Sequence, residues 1–228
     1  MKKVLALLCV ASFAIPAMAA PSRGKLNDRL DQAKSVIQEI EATPDRAIPQ
    51  EITENATCVG VVPNLIKAAF IFGGERGVGV VTCRTGHGWS APVFIQITGG
   101  SWGLQIGGQS TDLVLVAVNQ KGFQDLLHSK FKIGAGASAA AGPVGRNAQM
   151  ATNWKMQSEL LTWSRSKGLF AGIDLNGAVV AQDRDATSAF YGSHHSMDTI
   201  LKGEVLPPAA ARPFLETVAR YFRESVQH

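Results

Sequence analysis

Residues 58–84 read CVGVVPNLIKAAFIFGGERGVGVVTCR, and this stretch indicates the class of the fold. Valine, isoleucine and phenylalanine are enriched in β-strands, while glycine and proline punctuate the apolar runs. The pattern predicts short strands separated by Gly-Gly or proline. Cys58 and Cys83 fall in two of these runs, so they could lie on neighbouring strands.

A disulfide between these two cysteines is one of two open alternatives. Cys58 and Cys83 are the cysteines that remain once an N-terminal leader containing Cys9 is removed. An even pair in an exported protein suggests a bridge. Two buried free thiols are the ordinary alternative, and the sequence does not choose between them.

The composition of residues 58–84 continues through much of the chain. Helices do not alternate regularly with the apolar runs, which disfavours a parallel sheet built from βαβ units. We therefore expect one α+β domain over residues 20–228, a mostly antiparallel β barrel or sandwich with flanking N- and C-terminal helices. The further β-type runs are PVFIQITGG, WGLQIGG, DLVLVAVN, KIGAGASAAAG, KGLFAGIDL and GAVVAQD.

Apolar residues recur at helical spacing before the β-rich part and after it. Residues 23–42 form a predicted amphipathic helix whose polar face mixes both charges, and Thr43-Pro44 ends it. Further helices are expected near residues 50–56, 122–128 and 209–226. The apolar positions of the first helix are Leu26, Leu30, Ala33, Ile37 and Ile40.

The N-terminus has the order of a secretory signal peptide over residues 1–19. Lys2 and Lys3 precede an apolar run of about a dozen residues, and Ala17-Met18-Ala19 supplies a small-residue cleavage site. An uncleaved anchor is the alternative. Cleavage predicts a periplasmic or secreted protein that can associate with a membrane. It also removes two positive charges from the formal net charge of +4, leaving +2, far below that of a nucleic-acid binder.

The glycine-rich stretch KIGAGASAAAGPVGR, residues 132–146, resembles a phosphate-binding loop only superficially. It lacks the lysine and hydroxyl residue of a P-loop and the third glycine of a dinucleotide fingerprint. A closely packed strand is the better interpretation, and we expect neither a bound nucleotide nor a cofactor.

Candidate catalytic groups are few. His194, His195 and Asp198 form the best metal-like cluster, but a solvated loop is favoured over a metal site. Asp183 and Asp185 border a predicted hairpin, where aspartate is ordinary turn chemistry. The sequence therefore predicts no metal site and no enzyme.

Cations beside an indole are a weak indication of a lipid headgroup boundary. Arg165 and Lys167 lie near Trp163, and Arg146 follows the glycine-rich stretch. Solvated strand ends or internal ion pairs are the alternative for each. Lys67 lies within an apolar run, and we expect it to be a structural residue paired with Asp112 or Asp125.

Several blocks of the sequence resemble the SYLF domain family. They are residues 63–81, 89–116, 134–146, 164–180 and 190–192, and they follow the family's order. The resemblance runs from about Ile48 to Leu206. It implies a phospholipid-binding module without catalysis, with phosphoinositide ligands and actin binding in eukaryotic members.

The resemblance also implies that an N-terminal amphipathic helix contacts lipid, as attributed to animal members. Residues 23–42 are the counterpart, but their polar face is nearly charge-balanced, unlike that of a strong binder of anionic membranes. An exported bacterial-type protein meets neither actin nor phosphoinositides, so lipid binding alone is carried over.

These observations predict a non-enzymatic domain that docks peripherally on anionic phospholipid surfaces and binds no nucleic acid. Its protein partners are not indicated. A structural or protein-interaction module of the cell envelope, with the helix packed permanently on the domain, is the alternative. The candidate lipid contacts are Lys25, Leu26, Arg29, Leu30, Arg146, Arg165 and Lys167, with Ile37 as a further apolar position of the same helix.

Overall fold

The computed structural model describes residues 21–43, 47–70, 72–102, 107–133, 139–142, 160–166, 169–170, 175 and 177–223. The helices are α1 (Arg23–Glu41), α2 (Gln50–Asn55), α3 (Gln120–Leu127), α4 (Arg184–Tyr191), α5 (Met197–Leu201) and α6 (Arg212–Tyr221), the last preceded by a 3₁₀ turn (Ala209–Ala211). The strands are β1 (Cys58–Phe70), β2 (Phe72–Thr85), β3 (Gly88–Trp89), β4 (Val93–Trp102), β5 (Gly107–Ala117), β6 (Lys130–Lys132), β7 (Ala139–Ala141), β8 (Leu160–Ser166), β9 (Leu169–Phe170) and β10 (Val179–Gln182).

The strands form one sheet in the order β6-β10-β4-β2-β1-β5-β8-β7, with β3 beside β2 and β9 beside β8. Every pairing is antiparallel except that of β7 with β8. The α+β class and the antiparallel sheet are therefore confirmed. Within the described strands, however, the sheet remains open, with β6 and β7 at its edges, and does not close into a barrel.

Helices cover both faces of the sheet. On one face, α1, α4 and α6 pack on Val59, Val80, Phe94 and Trp163. On the other face, α3 and α5 contribute to a second apolar cluster with residues such as Leu65, which alternate with those of the first face. Strand residues alternate between opposite faces, so the near-continuous apolar runs supply both clusters.

The strands β1 and β2 are longer than the sequence indicates. They form one hairpin of 13 and 14 residues, where the apolar runs predict shorter strands. Cys58 lies directly opposite Cys83 in the register, and a disulfide joins the two. The bridge lies within the second apolar cluster, and both cysteines are fully buried.

The region after β10 differs from the sequence interpretation. Asp183 does not border a turn between strands but caps α4, because its Oδ1 accepts from the backbone N–H of Ala186 at 3.1 Å. Aspartate at this position satisfies a backbone N–H that has no partner within the helix. The C-terminal helix is also shorter than expected, because α6 ends at Tyr221.

We expect loss of the disulfide to destabilise the domain. Its cysteines are 25 residues apart, and closing a loop of that length restricts the unfolded chain by roughly 3 kcal/mol. Urea unfolding with and without reductant measures the difference. Cys58→Ala/Cys83→Ala is the control, because its unfolding should not respond to reductant. Identical midpoints for the wild type in both conditions would contradict the prediction.

Glu41, at the end of α1, makes the stability of the domain depend on pH. Burial raises the pKa of Glu41 from 4.5 to about 7, and the N–H of Ile48, which donates to its Oε1 at 3.4 Å, opposes this rise. The folded state therefore binds this proton more tightly than the unfolded state. Protonated Glu41 therefore stabilises the folded state. This stabilisation is fully present below the unfolded pKa of 4.5 and is lost as the pH rises through the folded pKa of about 7.

Glu41→Gln imitates the protonated side chain. Its melting temperature should equal that of the wild type near pH 4.5 and exceed it by a few degrees at about pH 8. Calorimetry across this range tests the prediction, with Glu216→Gln on the exposed face of α6 as the control. An equal effect of both substitutions at all pH values would contradict it.

Candidate functional site

A pocket of about 580 Å³ lies between the first half of α1 and the β1–β2 hairpin. The helix supplies one wall, the start of an irregularity in β1 supplies the rim, and β2 supplies the remaining wall. The pocket combines cationic groups with apolar ones, and no Asp or Glu lines it among the described residues. Its lining consists of Lys25, Arg29, Gln32, Pro63, Asn64, Ile66, Arg76, Gly77 and Val78.

A β-bulge shapes this pocket. The register of β1 shifts between Val62 and Leu65 against β5, and Asn64 takes a left-handed conformation with φ 52°. The backbone N–H of Asn64 donates to Asp112 Oδ1 at 3.0 Å, which holds the irregular segment on β5. Beyond the bulge Leu65 is fully buried, whereas Ile66 is 56% exposed and lines the pocket.

Gly77 permits the bulge to lie against β2. A Cβ atom at this position would approach the side chain of Val62 to 2.6 Å and that of Leu65 to 2.7 Å. Distances this short require the neighbours to move, and both are fully buried. The pocket therefore depends on a glycine in β2 as well as on the irregularity in β1.

Two cations of the pocket are available to a ligand. Lys25 on α1 and Arg76 on β2 are both exposed. Neither has an ion-pair partner within the described part of the chain. Arg76 lies opposite Ile66 in the register, so a guanidinium and an exposed apolar side chain share one surface.

Arg29 lines the same pocket but is already paired. Its Nη1 lies 3.2 Å from Asp183 Oδ2, and its guanidinium lies 5.4 Å from the centre of the Phe94 ring. Both carboxylate and guanidinium are largely buried. Arg29 thus fastens the first half of α1 to the N-terminus of α4 and adds no free charge to the pocket.

Arg165 has a similar role at the other end of α1. Its guanidinium pairs with Glu39 of α1 and, at 3.2 Å, with Asp112 of β5. Asp112 therefore holds both the bulge and this arginine. The ion-pair alternative thus holds for Arg165 in this structure. Arg146 and Lys167 lie outside the described residues.

The apolar face of α1 belongs to the core. Leu26, Leu30 and Ile37 are 0%, 2% and 1% exposed and pack in the cluster that contains Phe94. In this arrangement the sheet buries all three side chains, and lipid contact by Leu26, Leu30 and Ile37 stays a prediction. The alternative in which α1 packs on the domain describes what the structure has.

Other candidate groups are occupied by local contacts. Lys67 pairs with Glu75 on the neighbouring strand at 2.8 Å, and not with Asp112 or Asp125 as expected. His194 lies 3.0 Å from the hydroxyl of Ser188, and His195 lies 2.8 Å from that of Ser193. The described residues contain no cluster suited to a metal ion.

Arg76 and Ile66 are site residues that the sequence interpretation missed. A signal was present, because Pro63-Asn64 interrupts an apolar strand run, and proline within a strand commonly marks a bulge.

No described helix is long and apolar enough to cross a membrane.

The open antiparallel sheet with helices on both faces defines an α+β domain, and a cationic pocket lies beside α1. Residues 98–221 match the family model Ysc84, described as "Las17-binding protein actin regulator". This chain belongs to that family, the SYLF domain family.

Relatives in yeast and mammals share much of the chain. It is 33% identical over 190 residues to LAS seventeen-binding protein 3 of Saccharomyces cerevisiae. The aligned region covers 79% of this chain and 41% of the yeast protein. It is 30% identical over 206 residues to SH3 domain-containing YSC84-like protein 1 of Mus musculus, covering 87% and 60%. The chain thus spans less than two thirds of these relatives.

The packing of α1 yields a direct prediction. Leu30→Ala should cost about 2–5 kcal/mol of stability, because it removes buried methyl groups from the core. Lys25→Ala, five residues earlier on the exposed face, should change stability by less than about 0.5 kcal/mol. Urea unfolding of both variants tests this. Equal, small effects would mean that α1 does not pack on the sheet in solution.

Proposed function

We propose that this chain is a non-enzymatic, exported domain that binds anionic phospholipid surfaces peripherally. The observation that carries the proposal is the position of Lys25 and Arg76, two exposed cations beside the exposed Ile66. Membership of a lipid-binding and actin-regulating family supports the same function. The leader-like N-terminus supports a periplasmic or secreted location.

The binding surface proposed here differs from an inserted amphipathic helix. The helix α1 stays on the sheet and presents Lys25 from its first turns, while β1 and β2 present Ile66 and Arg76. Each cation near an anionic surface contributes about 1 kcal/mol, so two of them give weak, salt-sensitive association. One exposed isoleucine adds a small apolar contribution.

The alternative is a structural or protein-interaction module of the cell envelope. Burial of the apolar face of α1 favours it, because that face is then unavailable to a membrane. The names of relatives that bind Las17 or regulate actin also favour a protein partner. Absence of vesicle binding at low salt would leave this alternative as the function.

Co-sedimentation with vesicles tests the proposal. Vesicles of phosphatidylcholine with added phosphatidylglycerol should pellet the protein at low salt, and pure phosphatidylcholine should not. Lys25→Ala/Arg76→Ala should weaken binding about thirtyfold, because it removes two contributions of about 1 kcal/mol.

Lys130→Ala/Lys132→Ala is the matched control. It removes the same charge from exposed positions on the edge strand β6, distant in the sheet order from β1 and β2. It should retain most of the binding. Equal losses in the two variants would mean that net charge alone, and not the surface beside α1, carries the association.

A further inference from the structure

We propose that the pocket between α1 and the β1–β2 hairpin holds one anionic glycerophospholipid molecule, with its phosphate between Lys25 and Arg76 and its acyl chains beside Ile66. This inference rests on the proposed function and goes beyond it. A surface that attracts lipid by charge alone needs no pocket and has no fixed stoichiometry, whereas this site takes one lipid per protein.

The charges of the lining select an anion. Lys25 and Arg76 approach the pocket from different elements, α1 and β2, and both are free of ion pairs among the described residues. The third cation, Arg29, is neutralised by Asp183. Nothing acidic in the described lining opposes a phosphate, so it meets two uncompensated charges there.

The apolar part of the lining selects a lipid over a free phosphate. Ile66 is 56% exposed, although large apolar side chains of this domain are otherwise mostly buried. Pro63 and the half-buried Val78 line the same pocket. A phosphate ion or a sugar phosphate gains nothing from these groups, but a glycerol backbone with acyl chains covers them and removes apolar surface from water.

The pocket is large enough for the headgroup, the glycerol and the first acyl carbons of one lipid, and longer acyl chains extend beyond it. Its volume of about 580 Å³ lies within the range of roughly 300–1,000 Å³ typical of small-molecule sites. Its walls are fixed before binding, because the Arg29–Asp183 pair holds α1 and the hydrogen bond from Asn64 to Asp112 holds the bulge. A site that is formed in advance loses little free energy to ordering when the ligand binds.

Short-chain lipids below their aggregation concentration separate this site from a membrane surface. Titration calorimetry with dihexanoyl phosphatidic acid should give saturable binding of one lipid per protein. Dihexanoyl phosphatidylcholine should bind at least tenfold more weakly, because its headgroup carries a compensating positive charge. Glycerol 3-phosphate, which lacks the acyl chains, should also bind at least tenfold more weakly.

Two variants test which residues contact the acyl chains and which contact the phosphate. Ile66→Ser should weaken dihexanoyl phosphatidic acid about five- to tenfold and leave glycerol 3-phosphate unchanged, because it removes only apolar contact. Lys25→Ala/Arg76→Ala should abolish measurable binding of both. Lys130→Ala/Lys132→Ala should match the wild type. All these positions are exposed, and unchanged melting temperatures verify folding.

The outcomes distinguish this inference from the proposed function. Vesicle binding without saturable binding of dihexanoyl phosphatidic acid overturns the single-lipid site and leaves surface docking intact. Glycerol 3-phosphate binding as tightly as the lipid, with no effect of Ile66→Ser, also overturns it, because the site is then one for a free phosphate. Loss of both vesicle and short-chain lipid binding overturns the proposed function as well.

Discussion

The bulge in β1 is the constraint on which the rest of the site depends. Up to Val62 the strand follows a regular antiparallel register with β5, and the left-handed Asn64 then displaces the register before Leu65 resumes it. Two conditions maintain this irregularity. The carboxylate of Asp112 accepts from the backbone N–H that the bulge leaves without a ladder partner, and Gly77 leaves room for Val62 and Leu65. The bulge puts Leu65 into the core while Ile66 remains exposed in the pocket.

The core location of α1 follows from the same sheet. Six residues of this helix are buried, five of them leucine, valine or isoleucine, and burying a side chain of that size stabilises by about 1.5–3 kcal/mol. Detaching the helix would also expose the parts of β1 and β2 beneath it, including Val59 and Val80. Transfer of its apolar face to a membrane would compensate for the helix but not for the sheet. Cations that contribute about 1 kcal/mol each do not supply the difference.

Local patterns in the sequence predicted correctly the positions of individual helices and strands. The spacing of Leu26 and Leu30 located α1, and Cys58 and Cys83 lay in apolar runs that proved to be adjacent strands. Contacts between residues far apart in the chain could not be predicted from the sequence. Arg29 meets Asp183 across 154 positions and Arg165 meets Asp112 across 53, so neither cation could be recognised as neutralised from its sequence neighbours.

The interruption at Pro63-Asn64 indicates a bulge in the sequence alone, but the pocket that the bulge shapes could not be predicted from it. A bulge is visible in one strand, but the pocket also needs Arg76 from β2 and Lys25 from α1, which lies 39 positions before Asn64. The face on which Ile66 emerges depends on a register shift of one strand against two neighbours. Periodicity in a single strand does not encode that shift.

The charges around α1 are unevenly distributed between two adjoining depressions of the surface. A second groove, of about 300 Å³, adjoins the cationic pocket and shares Gln32, Pro63 and Asn64 with it. Its lining includes three carboxylates, of which Glu39 and Asp112 pair with Arg165 and Asp31 pairs with Lys34. An anion is therefore favoured on the pocket side over the groove side, and these two sides meet at the bulge. The same Asp112 that stabilises the bulge also lines the groove. The element that shapes the pocket therefore also marks the boundary between its two cations, unpaired among the described residues, and the paired charges of the neighbouring groove.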